Sequence, residues 1–333
     1  MPIPVRAKIT GVTKFHPERV VTNKDMEKMV DTSDEWIRTR TGISERRWVK
    51  PGQAASDLGA EAAKKLLVET NTDPEELELI VVGTVTPDMF YPSTAALIAH
   101  KIGAKKAWGF DLSAACSGFV FSLATAEQFI RTGTHKKVMV VGVDIMSSIA
   151  DMTDRNTCVL FGDGAGAVML EPEPEGSKLG IIDCLHYVDG TGAPFLSQPG
   201  GGSLHPPTHE TIDKKMHYVH QDGKVVYKYA VSGMADVSIE ILEKNKIPTS
   251  EVDLFVAHQA NLRIIESTQK RLGLPDEKVV VNIDKFANTT SATIPSCMAM
   301  AVEDGRLTKG KLLVIASFGA GFTWGSSLIR WAY

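Results

Sequence analysis

A strand–turn–helix unit occurs twice in this chain, about half the chain length apart, and few folds accommodate that. NTDPEELELIVVGT (71–84) lines up with NKIPTSEVDLFVAH (245–258), and FDLSAACSGF…TG–KKVMVVG lines up with IDKFANTTSAT…DG–GKLLVIA. The runs Leu77–Thr84 and Val252–Ala257 are almost wholly apolar, as strands buried on both faces are. Further strands are expected at Val5–Val12, Trp108–Leu112, Lys137–Val143, Val279–Ile283 and Lys311–Ser317. Helical patterns fall between them at Ala54–Glu69, Thr94–Lys101, Val231–Asn245 and Ala292–Gly305. Two short helices, Asn23–Met29 and Ser33–Arg40, carry Asn23 and Ser33 as N-cap candidates. The alternation predicts an α/β fold with helix-covered sheets. Two such halves packed about a pseudo-twofold axis make a layered α/β/α/β/α body, with strand C-termini meeting at the junction. The Pro/Gly/charged stretch PEPEGSK (172–178) is the natural boundary, giving halves 1–174 and 175–333. An irregular Gly-, Pro- and His-rich insertion occupies 191–222 of the second half.

Within the first copy, Cys116 stands where a small-residue turn becomes the helix that runs to about Arg131. Ser113, Ala114, Ala115, Ser117 and Gly118 leave it almost unshielded, so a thioester could approach closely. A helix N-terminus favours the thiolate, which suits a nucleophile. The same residue would also serve as a small buried hydrophobe. A cysteine nucleophile needs a base or charge partner and an oxyanion site. His258 ends the strand VDLFVA, and Asn288 lies in the second copy of the Cys116 turn. The duplication brings both towards Cys116. FGAGF (318–322) after the last strand can aim a backbone N–H at the same junction.

Other function classes are disfavoured. The net charge is −4 and no basic tract exceeds three residues, which argues against a nucleic-acid binder. Cys116, Cys158, Cys184 and Cys297 are widely spaced, without C-x-x-C, as expected in the reducing cytoplasm and not of a disulfide framework. MPIPVRAKITG lacks the apolar core of a signal peptide, and no apolar run would span a bilayer. His205, His209, His217 and His220 match no zinc spacing, so no metal is expected. FGDGAGA (161–167) reads as a tight passage between two strands with close backbone approach, not as a phosphate loop.

The set DTSDEWIRTRTGI, DLSAACSGF, DRNTCVLFGDGAGA, AHQANLRII, ANTTSATIPS and FGAGFTWGSSLIRW resembles β-ketoacyl-acyl carrier protein synthase III, the condensing enzyme that initiates fatty acid synthesis on the thiolase fold. The motifs run from about Ile9 to the C-terminus in the family's order. The resemblance implies the thiolase-like five-layer body and a Cys116, His258, Asn288 triad. Cys116 would take the acyl group from acyl-CoA, the primer being acetyl-CoA or another short chain. His258 and Asn288 would stabilise the enolate formed from malonyl-acyl carrier protein by donating from a ring N–H and an amide. The backbone N–H groups of Cys116 and Ala320 would hold the oxyanion; the family usually has Gly at the latter position.

The resemblance also implies CoA contacts from Thr32, Trp36, Arg155 and Asn261, with Trp36 and Arg155 sandwiching the adenine. Asn156 departs from the family's usual Gly. Tyr91 matches a position near the end of the acyl pocket, and Phe161 and Phe318 line the same cavity. Arg263, Lys270 and Arg271, with Lys228, match the surface that docks the acidic carrier protein; a solvated helix face is the plainer reading of those charges. No cofactor is implied, and the family forms homodimers. Two rivals stand beside this reading. One is a related thiolase-fold acyltransferase of secondary metabolism. The other is a Cys–His–Asn thioester hydrolase, which would release free acid and ignore malonyl thioester.

Overall fold

The computed structural model describes residues 5–174 and 176–333. Met1–Pro4 of the first half and Glu175 of the boundary stretch lie outside the described residues. The first sheet is built from β1 (Arg6–Phe15), β2 (Leu79–Gly83), β3 (Trp108–Leu112), β4 (Val138–Ile145) and β5 (Asp163–Glu173), in the order β1-β5-β4-β2-β3. β3, β2 and β4 run parallel, while β5 pairs antiparallel with both β4 and β1. The second sheet contains β6 (Gly180–Val188), β7 (Leu254–Ala257), β8 (Leu312–Gly319) and β9 (Thr323–Arg330), in the order β7-β8-β9-β6. β7 and β8 are parallel, and β9 is antiparallel to β8 and β6. Position by position, the second order repeats the first without a full edge strand.

The alternation of side chains along the strands explains the layering. Leu79 and Val81 of β2 join Leu254 and Val256 of β7 in one core cluster. Between the sheets lie α4 (Gly118–Arg131) and α7 (Thr293–Glu303), contributing Phe119, Leu123, Ile294 and Met298 to that cluster. Ile80 and Val82 point the other way, under α2 (Ala55–Glu69) and α3 (Thr94–Ile102). Phe255 and Ala257 likewise face α5 (Gly223–Lys244) and α6 (Leu262–Leu272). The result is helix, sheet, helix, sheet, helix. A fully buried Phe, Leu or Met in the middle layer contributes about 1.5–3 kcal/mol through removal from water. α1 (Asp34–Thr41) lies outside these layers; Ser33 caps it by accepting from Trp36 N at 3.1 Å.

Several expectations change. Val279–Ile283 is not a strand: only a parallel bridge between Phe255 and Val279 remains at the edge equivalent to β3. The Gln259 side chain takes over beyond it, accepting from Asn282 N at 3.0 Å and donating to Val280 O at 3.3 Å, so the backbone has no ladder to join. FGDGAGA opens β5 and is not a passage between two strands, although the close approach is real. A Cβ on Gly166 would lie 2.7 Å from Pro295 Cβ. Thr22, and not Asn23, caps the helix Asn23–Met26, because the buried Asn23 amide is spent on Asp34, Ile43 O and Arg46. α5 starts earlier than Val231, where Asp222 accepts from Lys224 N and Val225 N. Among the described residues no helix is long and apolar enough to cross a membrane.

Candidate active site

The Cys116 turn is shaped by one unfavourable residue. Ala115 adopts φ 47°, a left-handed conformation that costs a non-glycine residue roughly 1–3 kcal/mol and needs outside support. The support comes from the other half. Ser317 Oγ donates to Cys116 O at 2.7 Å, Ser117 Oγ to Thr323 O at 3.1 Å, and Thr323 Oγ1 to Ala114 O at 3.0 Å. Strand β8 comes so near that a Cβ on Gly319 would lie 2.8 Å from Cys116 N. Only glycine permits that approach.

The second turn mirrors the first. Thr290 has φ 48°, and the short 3₁₀ turn Thr290–Ala292 leads into α7 as Ala115–Ser117 leads into α4. Its brace is Asp144 at the end of β4, fully buried. Asp144 accepts from Ser291 N at 3.2 Å, from Ser291 Oγ at 2.7 Å and from Thr290 Oγ1. Its other oxygen accepts from Thr84 Oγ1, Val85 N and Thr86 Oγ1. Six donors replace the water that a buried carboxylate loses. Asn288 precedes this turn and is clamped by backbone bonds to Leu160 O and from Gly162 N, both 3.0 Å. Thr290 N donates to Asn288 Oδ1 at 2.8 Å, which leaves the Nδ2 end of the amide without a partner among the described residues.

Cys116, His258 and Asn288 all line one cavity of about 1130 Å³, with Ala320, Phe161, Phe318, Trp36 and Asn261. Ala320 is not among the residues with positive φ; Gly321 next to it carries that conformation at φ 142°. The replacement of the usual glycine by Ala320 is therefore free of backbone strain. Burial and the Asp144 carboxylate push the Cys116 thiol up to about 12, so desolvation outweighs the expected help from the helix N-terminus and the resting group is a thiol. Burial lowers His258 to about 3, so its ring is neutral.

Other expected residues are placed differently. Tyr91 is 85% exposed and outside the cavity lining, whereas its neighbour Phe90 lines it. Asp88, fixed by Ser56 N at 2.7 Å, and Ser93, capping α3, pin the loop on either side of this pair. Trp36 and Arg155 do not stand apart as a sandwich. The guanidinium lies 4.7 Å from the ring centroid, and that of Arg40 lies 4.9 Å from it. An intervening adenine needs about 7 Å, twice a contact distance, so Arg155 must swing away. Its one ion pair among the described residues, to the fully exposed Asp31, is weak enough to allow that. Thr32 lies outside the lining. Asn261 caps α6 through Arg263 N and also donates to Arg40 O.

Lys228, Arg263, Lys270 and Arg271 are exposed on α5 and α6, whose Lys224, Tyr227 and Ile264 reach the cavity. Arg263 is tied to Thr39 O and Arg271 to Asp236. Of the four insertion histidines, only His220 lines the cavity. Sequence reasoning missed Thr290, Thr293 and Asp144. Asp144 had one signal: a lone acid inside the apolar strand VMVVGVDI must find buried partners.

Known proteins share this architecture and sequence. Residues 110–193 match the 3-Oxoacyl-[acyl-carrier-protein (ACP)] synthase III family, and residues 242–331 match its C-terminal family. A beta-ketoacyl-[acyl-carrier-protein] synthase III of Koribacter versatilis is 56% identical over 98% of both chains. That of Chlorobium luteolum is 52% identical over 98% of this chain and all of its own. The crystal structure of 3-oxoacyl-[acyl-carrier-protein] synthase III from Aquifex aeolicus superposes with a TM-score of 0.89 at 41% identity, covering 98% of this chain and 100% of that one. Fold and likeness together define a condensing enzyme of the acyltransferase class on the thiolase fold. Within that class, the chain belongs to the 3-oxoacyl-[acyl-carrier-protein] synthase III family. It carries out the condensation that initiates fatty acid synthesis.

Proposed function

We propose that the chain condenses an acyl-CoA primer, acetyl-CoA or another short acyl-CoA, with malonyl-acyl carrier protein to give 3-oxoacyl-acyl carrier protein, CO₂ and CoA. The observation that carries this reading is the meeting of Cys116, His258 and Asn288 on one cavity. In it, the half 1–174 supplies the nucleophile and the half 175–333 the decarboxylating pair. Cys116 holds the primer as a thioester. The free Asn288 Nδ2 and the His258 ring then meet the malonyl thioester oxygen, where charge grows as CO₂ leaves. The enolate carbon attacks the acyl-Cys116 carbonyl, whose oxygen is received by Cys116 N and Ala320 N. Holding both thioesters in one cavity makes carbon–carbon bond formation effectively unimolecular. Decarboxylation itself generates the carbon nucleophile, so the chemistry calls for no cofactor.

Trp36, with Arg155 displaced onto the far side of the base, accepts the CoA adenine; Asn261 and Thr32 flank the nucleotide. Phe161 and Phe318 bound the acyl chain. Lys228, Arg263, Lys270 and Arg271 meet the acidic carrier protein, as helices α5 and α6 both flank the cavity. The working form is a cytoplasmic homodimer.

Given acetyl-CoA and malonyl-acyl carrier protein together, the protein releases CO₂ and forms the 3-oxoacyl product, read by mass spectrometry of the carrier. Free acetate without carbon–carbon bond formation would identify a hydrolase and end this reading. Trp36→Ala raises the KM for acyl-CoA by about tenfold, the loss of one base stack, and leaves that for malonyl-acyl carrier protein unchanged. Equal effects on both would remove Trp36 from the adenine site.

A further inference from the structure

The bonds around His258 decide which ring nitrogen carries its proton. Thr293 Oγ1, buried at the start of α7, lies 2.8 Å from His258 Nδ1 and 2.9 Å from Thr290 O. A carbonyl can only accept, and a hydroxyl has one proton to give. That proton goes to Thr290 O. The hydroxyl lone pair is then what faces Nδ1, so Nδ1 must carry the ring's hydrogen. Nε2 keeps a bare lone pair, and among the described residues it has no hydrogen-bond partner although it is buried. The ring borders the cavity that also holds Cys116. Burial keeps the ring neutral, so one proton is all it has.

Thr293 is in turn fixed by the strained turn behind it. Thr290 offers its carbonyl to Thr293 and its N–H to Asn288, and it is held at φ 48° by Asp144. One residue thus sets the orientation of both Asn288 and, through Thr293, His258.

We propose that Thr293 is a positioning residue that holds His258 as the Nδ1–H tautomer, so that Nε2 is the acceptor of the Cys116 thiol proton during primer loading. This rests on the condensation reading and deepens it. As Sγ attacks the primer carbonyl, its proton passes to Nε2, the carbon–sulfur bond to CoA breaks, and CoA departs as thiolate to be protonated by water. The malonyl carboxylate, entering beside the ring, supplies the opposite charge that offsets burial and keeps this second proton on Nε2, so that Nε2–H stands beside Asn288 Nδ2. The malonyl carbon–carboxylate bond breaks, CO₂ leaves, and the electron pair is held as the enolate. The enolate carbon then bonds to the acyl carbon. Cys116 Sγ leaves with its electron pair and takes the proton back from Nε2. One proton shuttles between Cys116 and His258 over the whole cycle, and the neutral thiol of the resting site requires such an acceptor.

The test is a two-bond ¹H–¹⁵N spectrum of the full chain labelled at histidine, with the His258 signals assigned by their loss in His258→Gln. The expected wild-type pattern is the Nδ1–H tautomer. Thr293→Val, which keeps shape and removes the hydroxyl, shifts His258 towards Nε2–H and slows Cys116 acylation by roughly 100-fold, the lower range for loss of a correctly poised base. Thr293→Ser restores both. An Nε2–H pattern in the wild type overturns the proposal by itself, even if Thr293→Val folds poorly. So does a Thr293→Val protein with unchanged tautomer and unchanged loading. The tautomer is read on resting protein without substrate, so it stands or falls separately from the product assay that tests the condensation.

Discussion

Cys116→Ser gains no acyl mass when offered acetyl-CoA, whereas the wild type gains one acyl group. The buried site already holds the thiol up to about 12, well above solution pH. A hydroxyl there is a far poorer nucleophile, and the barrier rises by enough to slow loading about 10³-fold or more. Intact-mass measurement of both proteins over a panel of acyl-CoAs reads this directly and ranks primer length at the same time. Loading of the Ser variant at near wild-type rate, or loading of the wild type at Cys158, Cys184 or Cys297, would displace Cys116 from its role. Those three cysteines are also held as thiols by burial, but none lines the cavity.

The second large effect separates the two half-reactions. Asn288→Ala acquires the acyl group on Cys116 at the normal rate yet fails to condense. The amide is oriented by Thr290 N with its donor end free, and removing such a donor costs about 10²–10³ in turnover. His258→Ala also reaches full acylation at Cys116, more slowly if His258 is the thiol's proton acceptor, and likewise fails to decarboxylate. Release of labelled CO₂ from malonyl-acyl carrier protein measures the step. Near-normal decarboxylation by either variant would show that the enolate is stabilised elsewhere.

Much of this architecture could be read from apolar periodicity. Trp108–Leu112 is a strand with the expected ends, and β2, β4, β7 and β8 differ from expectation by only a few residues. Such runs are legible because a strand buried on both faces tolerates little but aliphatic side chains. β6, β9, the glycine-rich start of β5 and the ribbon of Arg19–Thr22 with Glu45–Trp48 were not legible. β9, the start of β5 and the ribbon are rich in Gly, Ser or charge, β6 is interrupted by Asp183 and His186, and pairing with particular neighbours makes all of them strands. Tyr91 and Arg155 show the same limit at the site. The resemblance marked both, but the loop pinned at Asp88 and Ser93 decides that Phe90 reaches the cavity, and Arg155 rests on the ring it was expected to face.

By itself, the sequence displayed the alternating elements and the duplication in its apolar pattern, and it marked Cys116, His258 and Asn288 as candidates through their places at turns and strand ends and through the family resemblance. Only the tertiary structure decided how those groups are held. The Cys116 turn contains one non-glycine residue of positive φ, Ala115, and the Asn288 turn two, Ala287 and Thr290, and each is braced by the opposite half: the Cys116 turn by Ser317 and Thr323, the Asn288 turn by Asp144. Protonation was decided there too. The helix N-terminus favours a thiolate in the sequence, but burial in the assembled cavity leaves a thiol. A single hydroxyl, Thr293, assigns the ring proton of a histidine 35 residues away. Such contacts cross between elements distant along the chain, and local sequence does not record them.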